Sequence, residues 1–426
     1  MRKSLYLFIA VTAAVIFVLG WVLAGVLSKK PAKLAVAPQP EVQAPVSEKQ
    51  ASTEEGLPVV RYEEVSEPIK AIEGEAPQEE KASLSQEPQP SLPQAQVPPA
   101  QQPQTSAAQF QKGMIFVAWT ENGYSNPNST AAMQQMVSLG VDWVGLVTTW
   151  YQDKFNTTSI LPKTEKTPSD ESLLFAIRKL HELKVKIMLK PHLDLIEAEG
   201  RWRGDIEPDN SEGWQAWFDS YTNFILHYAN IAAQENVEML CIGTELSRAT
   251  LTQAERWRDL IKKIRGIYRG QLTYAANWNE EFDKIEFWNA LDYAAIDPYF
   301  PLVCTIRPKT GELKSAWGDW VKRIEPWQQK INKPVIFAEI GYKSARDATE
   351  EPWQHVATGE VDLELQSFCY SALLESFWDK PWFYGAYWWY WGVNPKMGGP
   401  LNRGFTPQNK PAQDVIKEWY SKPVSK

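Results

Sequence analysis

Residues 239–246 read MLCIGTEL, an apolar run that closes on a carboxylate, Glu245. The pattern returns at residues 334–342 as PVIFAEIGY, with Glu339 near its carboxyl end. Neither run alternates apolar with polar residues. Each reads as a strand covered on both faces, the pattern of a parallel sheet. A carboxylate carried into such surroundings is costly unless it is paired or used. The two acids therefore mark their strand ends as functional candidates.

Six further runs share this character: GMIFVAW (113–119), VDWVGLVTTW (141–150), KIMLKPHLDL (186–195), LTYAANW (272–278), YAAIDPYF (293–300) and YGAYWWYWG (384–392). Amphipathic stretches fall between them, such as DESLLFAIRKLHELK (170–184) and QAERWRDLIKKIRGIY (253–268), with apolar residues three and four apart. Ser169 and Asp170 suit the start of the first helix, Thr252 that of the second, and KPAQDVIKEWYSK (410–422) offers a last one. Eight β-then-α units predict an α/β fold, a (β/α)8 TIM barrel. In such barrels the active site lies at the carboxyl ends of the strands. Glu245 would end strand four and Glu339 strand seven, on opposite sides of one mouth. Two facing carboxylates are what glycoside hydrolysis requires: a proton donor to the leaving oxygen and a second group at the anomeric carbon. As isolated motifs TEL and AEIG carry little; at these two strand ends they carry much more.

Composition divides the 426 residues into three parts. Residues 5–27 hold no charge over 23 positions, long enough to span a bilayer. No small-x-small site follows clearly, so residues 1–30 are expected to be an uncleaved membrane anchor, with a cleaved signal as the alternative. Arg2 and Lys3 face Lys29 and Lys30, a near tie that leaves orientation open. Residues 31–109 contain thirteen Pro and one aromatic residue, Tyr62, and are expected to form a disordered stalk. Residues 110–426 hold 19 of the 20 Trp and are expected to form the catalytic domain.

The chain carries −8 overall, with +4 in residues 1–30 and −7 in residues 31–109, leaving −5 for the rest. That balance argues against a nucleic-acid partner. Of three Cys, Cys241 and Cys369 lie in apolar runs and read as buried thiols. Four His occur without an HExxH pair, so neither metal nor other cofactor is expected. The expected partners are a polysaccharide or oligosaccharide substrate and, through the N-terminal helix, a membrane. The domain would face outside the cytoplasm, as a monomer.

KPHLDL (190–195), RWRGDI (201–206), GTEL (243–246), DPYFPL (297–302), FAEIGY (337–342) and YWWYWG (387–392) together resemble clan A of the glycoside hydrolases. Within the clan the likeness is to family 113, the β-mannanase type, over about residues 112–420. The resemblance implies a retaining mechanism with Glu245 as acid/base and Glu339 as nucleophile, acting on a β-linked polysaccharide, foremost β-1,4-mannan. Most clan members place Asn before the acid/base, to hold the sugar 2-hydroxyl; this chain has Thr244. The hydroxyl of Thr can still hydrogen-bond, with a different reach. Another β-glycan, or a non-catalytic glycan-binding barrel, stands as the alternative. The presence of both carboxylates weighs against the latter.

Tyr299, ending strand six, is a candidate to bond the nucleophile, or else packs the rim. His192 on strand three either contacts sugar, orients a carboxylate or is structural. Asp194 and Arg203 line the glycone side or form an ion pair that braces a loop. Asn277 and Asn279 flank Trp278 and suit sugar hydroxyls or turn chemistry. Trp389 and Trp391 read as sharing one face of strand eight, and one of them is expected to lie under the reactive sugar. Trp119 and Trp150, ending strands one and two, are weaker platform candidates, whereas Trp214 and Trp217 suit helix packing.

Overall fold

The computed structural model describes residues 108–302 and 307–424. In chain order the elements are β1 (Gln111–Val117), α1 (Ser129–Val137), β2 (Trp143–Gln152), α2 (Asp170–Glu182), β3 (Lys186–Leu195), α3 (Ser211–Gln234), β4 (Met239–Thr244) and α4 (Ser247–Thr252). They continue with α5 (Ala254–Ile267), β5 (Gln271–Asn277), β6 (Ala294–Asp297), α6 (Thr310–Ile331), β7 (Val335–Ile340), α7 (Leu363–Phe377), β8 (Phe383–Gly392) and α8 (Ala412–Tyr420). The eight strands are parallel and close into one barrel, β8 pairing with β1. The continuous apolar runs follow from this closure, because each strand packs inward on the barrel interior and outward on helices.

Each predicted strand is present, with ends displaced by a few residues. KIMLKPHLDL coincides with β3. YAAIDPYF shortens to four residues, stopping at Asp297, because Pro298 offers no N–H to a ladder. The helices depart from one per strand. Two follow β4, and between β5 and β6 there is only the 3-10 turn Trp288–Ala290. The Ser169 side chain caps α2 by accepting from the Ser172 N–H, a bond worth about 1 kcal/mol. Thr252 does not begin the next helix. It ends α4 with its hydroxyl donating to the Arg248 carbonyl, and Gln253 joins α4 to α5. The chain turns helical directly after the β4 carboxylate, so the helix start is displaced upstream.

Trp214 and Trp217 are buried on α3, and Cys241 and Cys369 are buried free thiols, as expected. The folded part begins by residue 108: Ala108 packs on the core and the Gln109 N–H donates to the Tyr293 hydroxyl at 2.9 Å. No helix among the described residues is long and apolar enough to cross a membrane. The expected anchor at 5–27 and the stalk up to residue 107 lie outside the described residues.

Candidate active site

Glu245 follows β4 directly, with φ of +53°. Left-handed backbone strains a glutamate and is tolerated only where the surroundings impose it. Here the Glu245 N–H donates to the Ala275 carbonyl at 2.8 Å, and the residue is 2% exposed. Asn277 Nδ2 donates to its Oε1 at 2.8 Å. The Arg203 guanidinium lies 3.6 Å from its Oε2 and also binds Asp194, through Nε at 2.9 Å and Nη2 at 2.8 Å. Burial pushes the Glu245 carboxyl above the usual range; Arg203 opposes this and the Glu339 charge adds to it. Burial also works against the Arg203 charge, but Asp194 and Glu245 outweigh it.

Glu339, on β7, receives two donors. Lys190 Nζ lies 2.6 Å from Oε2 and the Tyr299 hydroxyl 3.0 Å from Oε1. Lys190 is also 3.3 Å from Asp297 Oδ2, and the Lys190 and Asp297 side chains are wholly buried. Burial disfavours the ammonium, yet Asp297 and Glu339 outweigh it and hold Lys190 charged. Gly341 lets the end of β7 come close to β8, since a Cβ there would sit 2.4 Å from the Trp389 carbonyl.

A cleft at the carboxyl ends of the strands is lined by Trp119, His192, Trp202, Glu339, His355 and Trp389, among others. Asp194 and Arg203 join this lining. The rings of His192 and Trp389 lie within 12° of parallel, centroids 6.4 Å apart. Burial, then the charges of Lys190 and Arg203, keep His192 neutral. Its Nε2 and Trp389 Nε1 have no hydrogen-bond partner among the described residues. Burial lowers His355 to about 4, with Glu339 opposing and Arg203 and Lys343 adding to the effect.

The predicted residues divide accordingly. Trp119 stands edge-on to Tyr390 at the cleft. Thr244 is buried, outside the lining, and its hydroxyl has no hydrogen-bond partner among the described residues. Asn277 holds Glu245, and its Oδ1 accepts from the Asn279 N–H at 2.7 Å, so the flanking asparagine serves the turn. Trp391 is not a platform. It is fully buried, with Nε1 donating to the Ala132 carbonyl at 3.1 Å. The register between β1 and β8 shifts between Met114 and Phe116, so that two β8 residues, Trp389 and Tyr390, stand opposite the single β1 residue Ile115. That bulge breaks the two-residue alternation and separates Trp391 from Trp389. Trp150 likewise packs outward, donating to the Tyr228 hydroxyl at 2.8 Å.

Lys190, Asp297, Trp202 and His355 escaped the reading of the sequence as site residues. The first two carried the same signal as the glutamates, a charge set within an apolar strand. Trp202 and His355 stand in loops, where no periodicity points to a cleft.

The model of Glycoside Hydrolase Family 113 matches residues 114–410. No curated protein matches. Among solved structures, a GH113 beta-1,4-mannanase solved as a complex is 27% identical, with a TM-score of 0.67, over 74% of this chain and 100% of that one. The GH113 beta-mannanase AaManA from Alicyclobacillus acidocaldarius, in complex with ManMIm, is 27% identical with a TM-score of 0.67, over 74% of this chain and 98% of that one. A family 5 mannosidase from Rhizomucor miehei shares the fold at 11% identity and a TM-score of 0.50, over 74% of this chain and 93% of that one. With the family match spanning every strand from within β1 to the end of β8, this chain belongs to glycoside hydrolase family 113.

Proposed function

We propose that this glycosidase cleaves β-1,4-mannan with retention, by double displacement. The observation that carries the reading is that Glu245 and Glu339, from β4 and β7, meet different partners in one buried site. Different surroundings give two carboxyl groups different roles. Burial favours a protonated Glu245, suited to give its proton to the leaving oxygen. Glu339, bonded by Lys190 and Tyr299, is the carboxylate that attacks the anomeric carbon. Glu245 then takes a proton from water, which displaces Glu339 and restores the β configuration. Trp389 offers its ring face to the reacting sugar, and His192 a neutral imidazole to its hydroxyls. Mannan as substrate draws support from the two β-mannanases at 27% identity.

The test is a screen of the purified domain against mannan, glucomannan, xylan, cellulose and chitosan. Preferential release of reducing ends from mannan is expected. Equal or greater activity on xylan or cellulose overturns the substrate, and binding without turnover on all five overturns the enzyme.

The charge-free run at residues 5–27 supports a further proposal, that it anchors the domain outside the cytoplasm. The chain should then resist alkaline carbonate extraction from membranes. Release of a shortened chain into the medium would show a cleaved signal instead.

A further inference from the structure

Glu281 is a buried carboxyl group that the two-step reaction does not use. It is 0% exposed, in the segment after β5. Its Oε1 accepts from the Thr250 hydroxyl at 2.8 Å and the Tyr274 hydroxyl at 2.7 Å; its Oε2 accepts from the Asn277 N–H at 2.6 Å. These donors belong to α4, β5 and the end of β5. The group thus ties together both chain segments that flank Glu245.

Two linked paths lead from Glu281 to the acid/base. On one side the Leu246 N–H, next in chain to Glu245, donates to the Tyr274 oxygen at 2.6 Å, and Tyr274 donates on to Glu281. On the other, Asn277, fixed through its backbone by Glu281, points Nδ2 at Glu245 Oε1. The left-handed backbone at Glu245 must be imposed by its surroundings. These bonds supply that constraint from both sides. A neutral glutamine at 281 could not accept from all three donors, because its amide nitrogen has no lone pair to offer.

We propose that Glu281 is the positioning residue of the acid/base, holding Glu245 at the leaving-group oxygen through Tyr274 and Asn277. This rests on the reading of Glu245 as acid/base. Burial raises Glu281 itself to about 7, against the bonds from Tyr274, Asn277 and Thr250, with the Glu245 charge adding to the rise. The other groups set against these two are Arg203 after β3, Lys190 on β3 and Glu339 on β7 for Glu245, and Tyr274 on β5 for Glu281.

The experiment compares Glu281→Gln, Tyr274→Phe and Glu245→Ala on two substrates. Mannan needs a protonated leaving group, and 2,4-dinitrophenyl β-mannoside does not. Glu281→Gln should lower kcat/KM on mannan about tenfold or more and lose far less on the aryl glycoside. Tyr274→Phe should show the same pattern more weakly, and it decides the matter if Glu281→Gln fails to fold. Equal losses on both substrates overturn the proposal. If Glu245→Ala itself loses equally on both, the acid/base reading has failed; if only the Glu281 and Tyr274 variants do, the positioning role has failed.

Discussion

Lys190 and Glu339 form an ion pair 2.6 Å long, with the side chains 0% and 10% exposed. Removing one partner of such a pair strands the other charge in a poor solvent, typically at a cost of about 3–5 kcal/mol. Lys190→Met would strand both Glu339 and Asp297. The variant is expected to lose about that much stability in denaturant titration, together with most of its turnover. Wild-type kinetics in a folded Lys190→Met variant would show that the pair is only a packing device.

Trp389 and Trp391 should fail in different ways. Trp389 lines the cleft, whereas Trp391 is enclosed between β8 and α1. Trp389→Ala should lower kcat/KM on mannan about tenfold, the equivalent of roughly 1.4 kcal/mol of ring stacking. Trp391→Ala should instead lower unfolding free energy by about 3–5 kcal/mol, as expected for loss of a core Trp. Steady-state assays beside denaturant curves separate the two, and identical behaviour would undo the platform assignment.

The contrast between these tryptophans bears on what the sequence can reveal. The barrel was legible because all eight strands carry the apolar runs that two-sided burial demands. Glu245 and Glu339 were legible because each ends such a run. Trp391 misled because period-two alternation assumes an unbroken ladder, and a bulge in β8 leaves no mark in composition. Lys190 was overlooked though it stands in the middle of KIMLKPHLDL; a buried cation there required a carboxylate across the barrel. Glu281 had no comparable signal. It lies in a polar loop sequence, NWNEEF, and only the fold reveals its burial.

Phe110 stands at the composition break near residue 109. Its ring meets Trp378 edge-on at 4.7 Å and Phe383 at 6.0 Å. A fragment of residues 108–426 should therefore be soluble and fully active. A fragment from residue 112 loses Phe110 and also Gln111, which accepts from the Tyr387 hydroxyl at 2.6 Å. The shorter fragment should be less stable by about 2 kcal/mol or more. Equal melting curves for the two would move the domain boundary inward.

Lys410 bears on pH dependence. The residue is 4% exposed, and its ammonium donates to two neutral oxygens, Ser344 Oγ and the Gly404 carbonyl, each at 2.8 Å. Burial lowers its pKa to about 7. The unfolded lysine titrates near 10.4. Between these values the unfolded chain holds the extra proton, so stability rises with pH, by up to about 1.4 kcal/mol per unit. Below pH 7 both states are protonated and the contribution is flat. The stability difference between wild type and Lys410→Met should therefore grow in favour of wild type from pH 7 to 10. A pH-independent difference would mean that the folded lysine titrates normally.

The stereochemical outcome tests both glutamates together. If they act as acid/base and nucleophile, their carboxyl groups stand about 5–5.5 Å apart, too close for a water between sugar and base. Glu339 must then attack the anomeric carbon itself, and two displacements return the β configuration. NMR of the first-formed sugar should show the β anomer. Glu339→Ala should abolish turnover on every substrate, since no other group forms the glycosyl bond. Glu245→Ala should retain turnover on aryl glycosides, with azide substituting for the activated water and leaving as a β-glycosyl azide. An α product in the wild type, or an α-glycosyl azide from the variant, would require a single displacement and would remove Glu339 from the role of nucleophile.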